Sequence, residues 1–182
     1  MELIKFGELP PADRYRLTVE NLIPRPIGWV MTENNGILNL APFSYFSGVS
    51  SRPPLLSLSI GRRKKGVEEP KDTYRNLLET KKGVVMIPDY SQLEWVEQTG
   101  QVLPATRSEV EEFQIPVERP LPDYPPIVKG VPRAFFCTLY GTFDRPELAT
   151  VPFFLKIEYF YTTGEPFTPI ARLGTGYQPL QG

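Results

Sequence analysis

The stretch from Arg25 to Pro54 constrains the fold more than any other part of the chain. The mostly apolar run from Ile27 to Thr32 feeds Asn34-Asn35-Gly36, and a second apolar run follows from Ile37 to Ala41. Asn-Gly is the pair preferred where both residues of a two-residue turn need a positive φ, so the pattern predicts a β-hairpin. Residues 41–51 are then expected to form a loop that presents hydroxyls, backbone amides and aromatic rings to a ligand.

Further β-strands are predicted along the rest of the chain. Residues 55–60 alternate, so that Leu56, Leu58 and Ile60 share one face. Runs rich in apolar, aromatic and threonine residues predict strands over 83–87, 133–143 and 151–162. The chain also holds 21 prolines in 182 residues, well above the average usage of about 5%. Proline at this density favours short strands with rigid connections, and the fold predicted is a mainly β fold, an antiparallel β-barrel with short peripheral helices at its rim.

Helix signals are few and short. Asp72 or Thr73 is expected to cap a helix that carries Tyr74, Leu77 and Leu78. Capping-box spacings predict two more helices, one opened by Ser91 to Glu94 and ended near Gly100, the other opened by Ser108 to Glu111. The proline-rich segment 116–132 is expected to be extended without regular structure. The tail over 167–177 is expected to be ordered by packing against the body or a partner chain.

Composition excludes several classes of function. Lys plus Arg number 20 and Asp plus Glu 21, giving a net charge of -1, so neither nucleic acid nor a membrane is expected as a partner. No apolar run reaches the roughly 18 residues of a membrane span and no leader is recognised, which predicts a cytoplasmic protein. The chain has no histidine, so we expect no metal site and no side-chain catalytic residue. The single cysteine, Cys137, lies in an apolar run and is interpreted as a core residue rather than a reactive thiol.

Three segments of the chain could converge on one anionic, aromatic ligand. They are the end of the first strand at Met31 and Thr32, the serine and aromatic loop 41–51, and the basic loop and helix start over 62–73. Exposed amides at a helix start, with a nearby lysine, suit a phosphate. A plainer interpretation is open for each: the serines could satisfy only their own loop, and the basic run could be a solvated loop. Within that run, Lys64 and Lys65 are expected to face solvent.

The order and spacing of these segments carry a family resemblance. Residues 25–32 (RPIGWVMT), 39–46 (NLAPFSYF), 49–54 (VSSRPP) and 71–76 (KDTYRN) resemble the flavin reductase-like, FMN-binding split-barrel family, which includes flavoredoxins. The resemblance spans most of the chain, so residues 1–182 are expected to form one such domain. It is weakest over 140–166, where no clear late hairpin is recognised. The aromatic residues between 135 and 161 are interpreted as core or dimer interface.

The resemblance implies a split β-barrel, a homodimer, and FMN held near the dimer interface. In members of the family the ring lies against the first strand and the serine-aromatic loop, and the phosphate meets the segment that matches Lys-Asp-Thr. The residues implied to bind the cofactor here are Arg25, Met31, Thr32, Ser44, Tyr45, Phe46, Ser47, Ser50, Arg62, Lys71, Asp72 and Thr73.

The function implied is that of an FMN-dependent oxidoreductase in which the cofactor, not a side chain, carries the chemistry. Electrons would pass from NAD(P)H through FMN to free flavin or to a partner such as a monooxygenase or another redox protein. Two alternatives stay open: an FMN-binding electron-transfer module without its own NAD(P)H activity, and a dimeric structural protein that has lost the cofactor.

Overall fold

The computed structural model describes residues 3–180 and is mainly β, with 42% of the residues in strands and 20% in helices. This confirms the predicted fold class. In chain order, the strands are β1 (Arg25–Pro26), β2 (Gly28–Asn34), β3 (Ile37–Phe43), β4 (Phe46–Ser51), β5 (Pro54–Gly61), β6 (Lys82–Ile87), β7 (Val117–Glu118), β8 (Ile127–Val128), β9 (Arg133–Thr142), β10 (Thr150–Thr162), β11 (Ile170–Leu173) and β12 (Gly176–Pro179).

One large antiparallel sheet, in the order β3-β2-β6-β9-β10-β5-β4, forms the body of the molecule. The predicted hairpin is confirmed: β2 and β3 pair with Asn34 opposite Ile37, and the turn residues Asn35 and Gly36 both have positive φ. The predicted loop over 41–51 is wrong in extent, because β3 continues to Phe43 and β4 begins at Phe46. The serine-aromatic segment is therefore mostly strand, paired along β5.

The late hairpin missed in the sequence is the longest pairing of the sheet. β9 and β10 pair from Arg133 opposite Thr162 to Thr142 opposite Phe153. The connection over 143–149 contains Pro146 and no two-residue turn signal, so nothing local in the sequence indicates that the two strands meet. The expectation that this region lacks a hairpin is wrong.

Two small sheets complete the strand pairing over residues 3–180. One has the order β1-β11-β12, and it joins the tail to the beginning of the body with Arg25 opposite Arg172. This confirms that the tail is ordered by packing against the body. The other pairs β7 with β8 inside the segment predicted to be irregular, which therefore contains one short antiparallel contact.

The helices are α1 (Pro11–Asn21), α2 (Asp72–Thr80), α3 (Leu93–Gln98) and α4 (Glu109–Glu112), with 3-10 turns at Phe6–Glu8 and Tyr90–Gln92. The sequence did not predict α1. The predicted cap of α2 is wrong: Lys71 holds the N-cap position and Asp72 is the first helical residue. The predicted box at Ser91 is also misplaced, because Asp89 and Gln92 form the capping box.

Buried side chains form two clusters, one on each side of the large sheet. Trp29, Met31 and Phe136 belong to the first cluster. The second contains Leu58 and Phe153, and it also takes up Leu56 and Ile60, as the alternation in β5 predicted.

Cys137 is fully buried, and burial raises the pKa of its thiol to about 12, which confirms it as a core residue. Over residues 3–180, none of the helices has the length and apolar character needed to span a membrane.

Candidate functional site

A cleft of about 460 Å³ opens where the end of β3 meets the start of α2 and the loop after α3. Its wall combines two aromatic rings, Phe43 and Tyr15, with cations and short polar groups. The lining residues are Tyr15, Asn39, Ala41, Pro42, Phe43, Lys64, Lys65, Lys71, Asp72, Thr73, Thr99, Gly100, Gln101, Val102, Leu103, Glu109 and Arg172. Lys71, Asp72 and Thr73 of the predicted site thus lie in one cleft.

Lys71 is a half-buried cation of this cleft that has no ionic partner within residues 3–180. Its ammonium group lies 5.7 Å from the ring centroid of Phe43, and burial lowers the pKa of Lys71. A desolvated ammonium without a carboxylate is costly unless an anion accompanies it. The position of Lys71 therefore suits an anionic ligand.

The start of α2 adds backbone donors beside this lysine. Within the described part of the chain, the N–H groups of Asp72, Thr73 and Tyr74 have no backbone acceptor, as expected in the first turn of a helix. The carboxylate of Asp72 is already engaged, with Lys64 at 2.7 Å and Arg75 at 2.8 Å. Asp72 is consequently committed to Lys64 and Arg75, and it leaves the charge of Lys71 uncompensated.

A buried network of hydrogen bonds fixes α2 against the hairpin. The amide of Asn39 donates to the hydroxyls of Thr73 at 2.9 Å and Thr32 at 3.2 Å. Asn76 donates to Thr32 at 3.1 Å. Thr32 thus lies behind the cleft wall, fully buried, and Met31 lies in the core. Both side chains are buried beneath the wall of the cleft, and neither lines it.

The serine-aromatic residues lie along the sheet next to the cleft. Phe46 packs on the backbone of β2, so closely that a Cβ placed on Gly28 would be 3.0 Å from its Cγ. Tyr45 is half-buried, and burial raises its pKa. Ser44 is half-buried beside it.

Ser47 and Ser50 are exposed, and their hydroxyls bond locally. The Ser47 hydroxyl donates to the carbonyl of Gly48 at 3.1 Å, and the Ser50 hydroxyl accepts from the N–H of Arg52 at 3.1 Å. In the single chain these two serines satisfy their own strand, as the plainer interpretation of the loop held.

The two arginines of the predicted site have partners elsewhere in the chain. Arg62 donates to the carbonyl of Arg145 at 2.6 Å and pairs with Asp144 at 2.5 Å, which holds the pKa of that carboxyl below its usual range. Arg25 is buried and donates to the carbonyls of Val19, Leu22 and Gly174. Arg62 thus joins β5 to the β9–β10 connection, and Arg25 joins α1 to the β11–β12 turn.

Lys64 contradicts its predicted exposure. Only 6% of its side chain is exposed, and its ammonium group donates to the carbonyl of Leu103 at 2.7 Å as well as pairing with Asp72. It therefore ties the loop after α3 to the start of α2, and so shapes the cleft wall. The basic run that contains it looked like a solvated loop, and no local signal distinguishes Lys64 from Lys65, which is exposed.

Sequence reasoning also missed Glu109 and Arg172. Glu109 is 5% exposed and accepts the N–H of Leu40 at 3.0 Å; burial raises its pKa to about 7. Arg172 stacks on the ring of Tyr177, with its guanidinium carbon 4.0 Å from the ring centroid. The tail that contains Arg172 was expected to pack against the body, but nothing in the sequence placed it beside Lys71.

Residues 20–180 match the model of the flavin reductase like domain, so the chain belongs to that family. A relative from Aquifex aeolicus, described as an uncharacterized protein, is 33% identical over 173 residues, 90% of this chain and 87% of the relative. Nitrilotriacetate monooxygenase component B from Bacillus cereus superposes with a TM-score of 0.88 at 31% identity, over 100% of this chain and 96% of that one.

A more distant solved structure identifies the architecture. A putative flavin reductase with split barrel domain from Shewanella frigidimarina NCIMB 400 superposes with a TM-score of 0.83 at 19% identity, over 100% of this chain and 96% of that chain. This likeness confirms the predicted split-barrel fold.

Proposed function

We propose that the chain is an FMN-binding oxidoreductase of the flavin reductase type that passes electrons from NAD(P)H through FMN to free flavin or a partner protein. One observation carries the proposal: Lys71, a half-buried cation without an ionic partner among residues 3–180, lies at the start of α2 and beside the ring of Phe43. A phosphate needs a cation and several short donors, and an isoalloxazine needs a flat apolar wall. The cleft has both.

The residues that would hold the phosphate are Lys71, Thr73 and the free N–H groups of the first turn of α2. Charge-assisted hydrogen bonds from an ammonium group and backbone amides are the usual phosphate contacts at a helix start. Asp72 and Glu69 together would neutralise Lys64 and Arg75, which leaves the positive charge of Lys71 free for the phosphate.

The flavin ring would extend from this phosphate end along β3 toward the serine-aromatic segment. Phe43, Ser44, Tyr45 and Phe46 would line it, with Ser47 and Ser50 in reach from β4. Four other predicted residues would support the site by holding the strands and α1 in place: Met31, Thr32, Arg25 and Arg62. Bound FMN would supply the redox chemistry by accepting hydride from a nicotinamide and giving two electrons to an acceptor. The chain itself would bind, orient and exclude water.

We also propose a homodimer and a redox partner. Three large aromatic side chains of the β9–β10 hairpin, Tyr140, Tyr159 and Phe160, are 60%, 55% and 53% exposed in the single chain. Large aromatic side chains left exposed in a single chain are typical of interaction surfaces. The similarity to a monooxygenase component B supports a partner of the monooxygenase class.

The first test measures FMN affinity. Apoprotein is titrated with FMN and with riboflavin, which lacks the phosphate, and binding is followed by flavin fluorescence. Lys71→Ala is expected to weaken FMN binding by about 1.5–3 kcal/mol, because a charge-assisted phosphate contact is lost. Riboflavin binding is expected to change little. Lys129→Ala removes an exposed lysine outside the cleft and serves as the control.

FMN affinity unchanged by Lys71→Ala would contradict the phosphate assignment. A wild-type protein that takes up no flavin at all would refute the proposal as a whole and leave the structural-protein alternative. Anaerobic stopped-flow mixing of the FMN-loaded protein with NADH or NADPH then separates the two remaining functions: rapid bleaching supports a reductase, and its absence supports an electron-transfer module.

A further inference from the structure

Arg172 is a further cation on the wall of the cleft, and it comes from the small sheet β1-β11-β12, whereas Lys71 lies at the N-cap of α2. It lies on β11 directly opposite Tyr177 of β12, and its guanidinium carbon is 4.0 Å from the centre of the tyrosine ring. Within residues 3–180 the guanidinium has no carboxylate partner. Stacking on an aromatic face holds the planar guanidinium in place but leaves its N–H edges free. Arg172 is therefore preorganised to bind an anion.

The residue opposite Arg172 on the neighbouring strand is also positively charged. The register partner of Arg172 on β1 is Arg25, another cation, whose guanidinium bonds only to backbone carbonyls among the described residues. Like charges opposite each other on neighbouring strands are unfavourable unless something compensates them. An anion at Arg172 would relieve this repulsion.

The single phosphate of FMN does not account for both Lys71 and Arg172. That phosphate would be bound by Lys71, Thr73 and the start of α2. The other obligatory ligand of the proposed reaction is a nicotinamide dinucleotide, which carries two phosphates in its bridge and a third, on the ribose, in NADPH. Because Arg172 and Lys71 line one cleft, a ligand bound at Arg172 would enter the space beside the flavin.

We propose that Arg172, held by Tyr177, binds a phosphate of the nicotinamide dinucleotide and so positions the reductant beside FMN. The inference rests on the proposed flavin reductase function and adds the residue that recognises the electron donor. It also gives the tail of the chain a role in the site, since β11 and β12 carry both side chains.

The test compares Arg172→Gln with Arg172→Lys in the FMN-loaded protein. Binding of NAD+ and NADP+ is measured by titration calorimetry, and the KM for NADH and NADPH by steady-state reduction of free flavin. Arg172→Gln is expected to weaken dinucleotide binding about tenfold or more, through loss of a charge-assisted contact. Arg172→Lys, which keeps the charge, is expected to restore much of it. The affinity for FMN is expected to stay at the wild-type value in both.

Arg145→Gln is the matched control. Its guanidinium also stacks on an aromatic ring, that of Phe143 at 5.1 Å, but it does not line the cleft. It should leave dinucleotide binding unchanged. An effect of Arg172→Gln on NADPH alone would assign the ribose phosphate, and an equal effect on NADH would assign the bridge; both support the proposal.

Two results would overturn the assignment of Arg172: dinucleotide affinity that Arg172→Gln leaves unchanged, or a loss of FMN affinity without a loss of dinucleotide affinity. Failure of the proposed function looks different. In that case the wild-type protein itself binds no FMN, or holds FMN and binds neither dinucleotide. Thermal unfolding of each variant checks that loss of the stacking on Tyr177 has not unfolded the tail.

Discussion

Glu109→Gln should make the protein more stable at alkaline pH. Glu109 is 5% exposed, and burial raises its pKa from 4.5 to about 7. Asp72 raises it in the same direction, whereas the ammonium group of Lys64 and the N–H of Leu40 oppose the shift. Glutamine keeps an oxygen that can accept from Leu40 but carries no charge at any pH.

The sign of the effect follows from proton binding. Between pH 4.5 and 7 the folded state holds a proton on Glu109 that the unfolded chain has released, so the free energy of unfolding falls as pH rises. The contribution is most favourable below pH 4.5 and levels off above pH 7. A pKa difference of about 2.5, at about 1.4 kcal/mol for each unit, amounts to roughly 3 kcal/mol. Most of this loss, about 2–3 kcal/mol, falls between pH 5 and pH 8.

The assay is urea-induced unfolding of wild type and Glu109→Gln at pH 5 and pH 8. The wild type should lose about 2–3 kcal/mol more than the variant between the two pH values. Glu111→Gln, on the exposed side of the same helix, is the control and should follow the wild type. Parallel losses in wild type and Glu109→Gln would show that the carboxyl does not hold its proton in the folded protein, and the reasoning from burial would fail.

The remaining predictions concern the sheet and its exposed face. Gly28→Ala should destabilise the protein by about 1–3 kcal/mol, because the new Cβ would be 3.0 Å from Cγ of Phe46; denaturant unfolding measures the loss, and the double variant with Phe46→Leu should regain part of it. No change in stability would mean that the ring moves freely. Light scattering on the purified protein should give twice the chain mass, and Tyr159→Lys should reduce it to the mass of one chain; a wild-type monomer would contradict the proposed homodimer.

Local patterns in the sequence were sufficient for the elements that local chemistry determines. The Asn35-Gly36 turn gave the first hairpin, and the alternation of leucine and serine gave the buried face of β5. The beginning of α2 was predicted to within one residue, although its cap was not, because Asp72 pairs with Lys64 and Arg75 instead of capping the helix.

Long-range contacts explain what the sequence did not reveal. The β9–β10 hairpin is joined by a connection without a turn signal, so only the fold brings its strands together. Lys64 is buried because the loop after α3 covers it, 39 residues further along the chain. Glu109 and Arg172 come to the cleft from α4 and β11, and no spacing in the sequence relates them to Lys71. The pattern thus located Lys71, Asp72 and Thr73 in the candidate site, and tertiary contacts supply the rest of its wall.

The bond from Leu40 to Glu109 has a consequence for self-association. β3 ends the hydrogen-bonding order of the large sheet, and the N–H of Leu40 points outward to the carboxylate. Two residues further on, Pro42 faces the same way and has no N–H to offer. A sheet edge whose donors are occupied or missing is a poor template for another strand. The outer edge of β3 is thereby protected against the addition of a strand from another chain. The cleft beside it can stay open to solvent without exposing an edge that promotes aggregation.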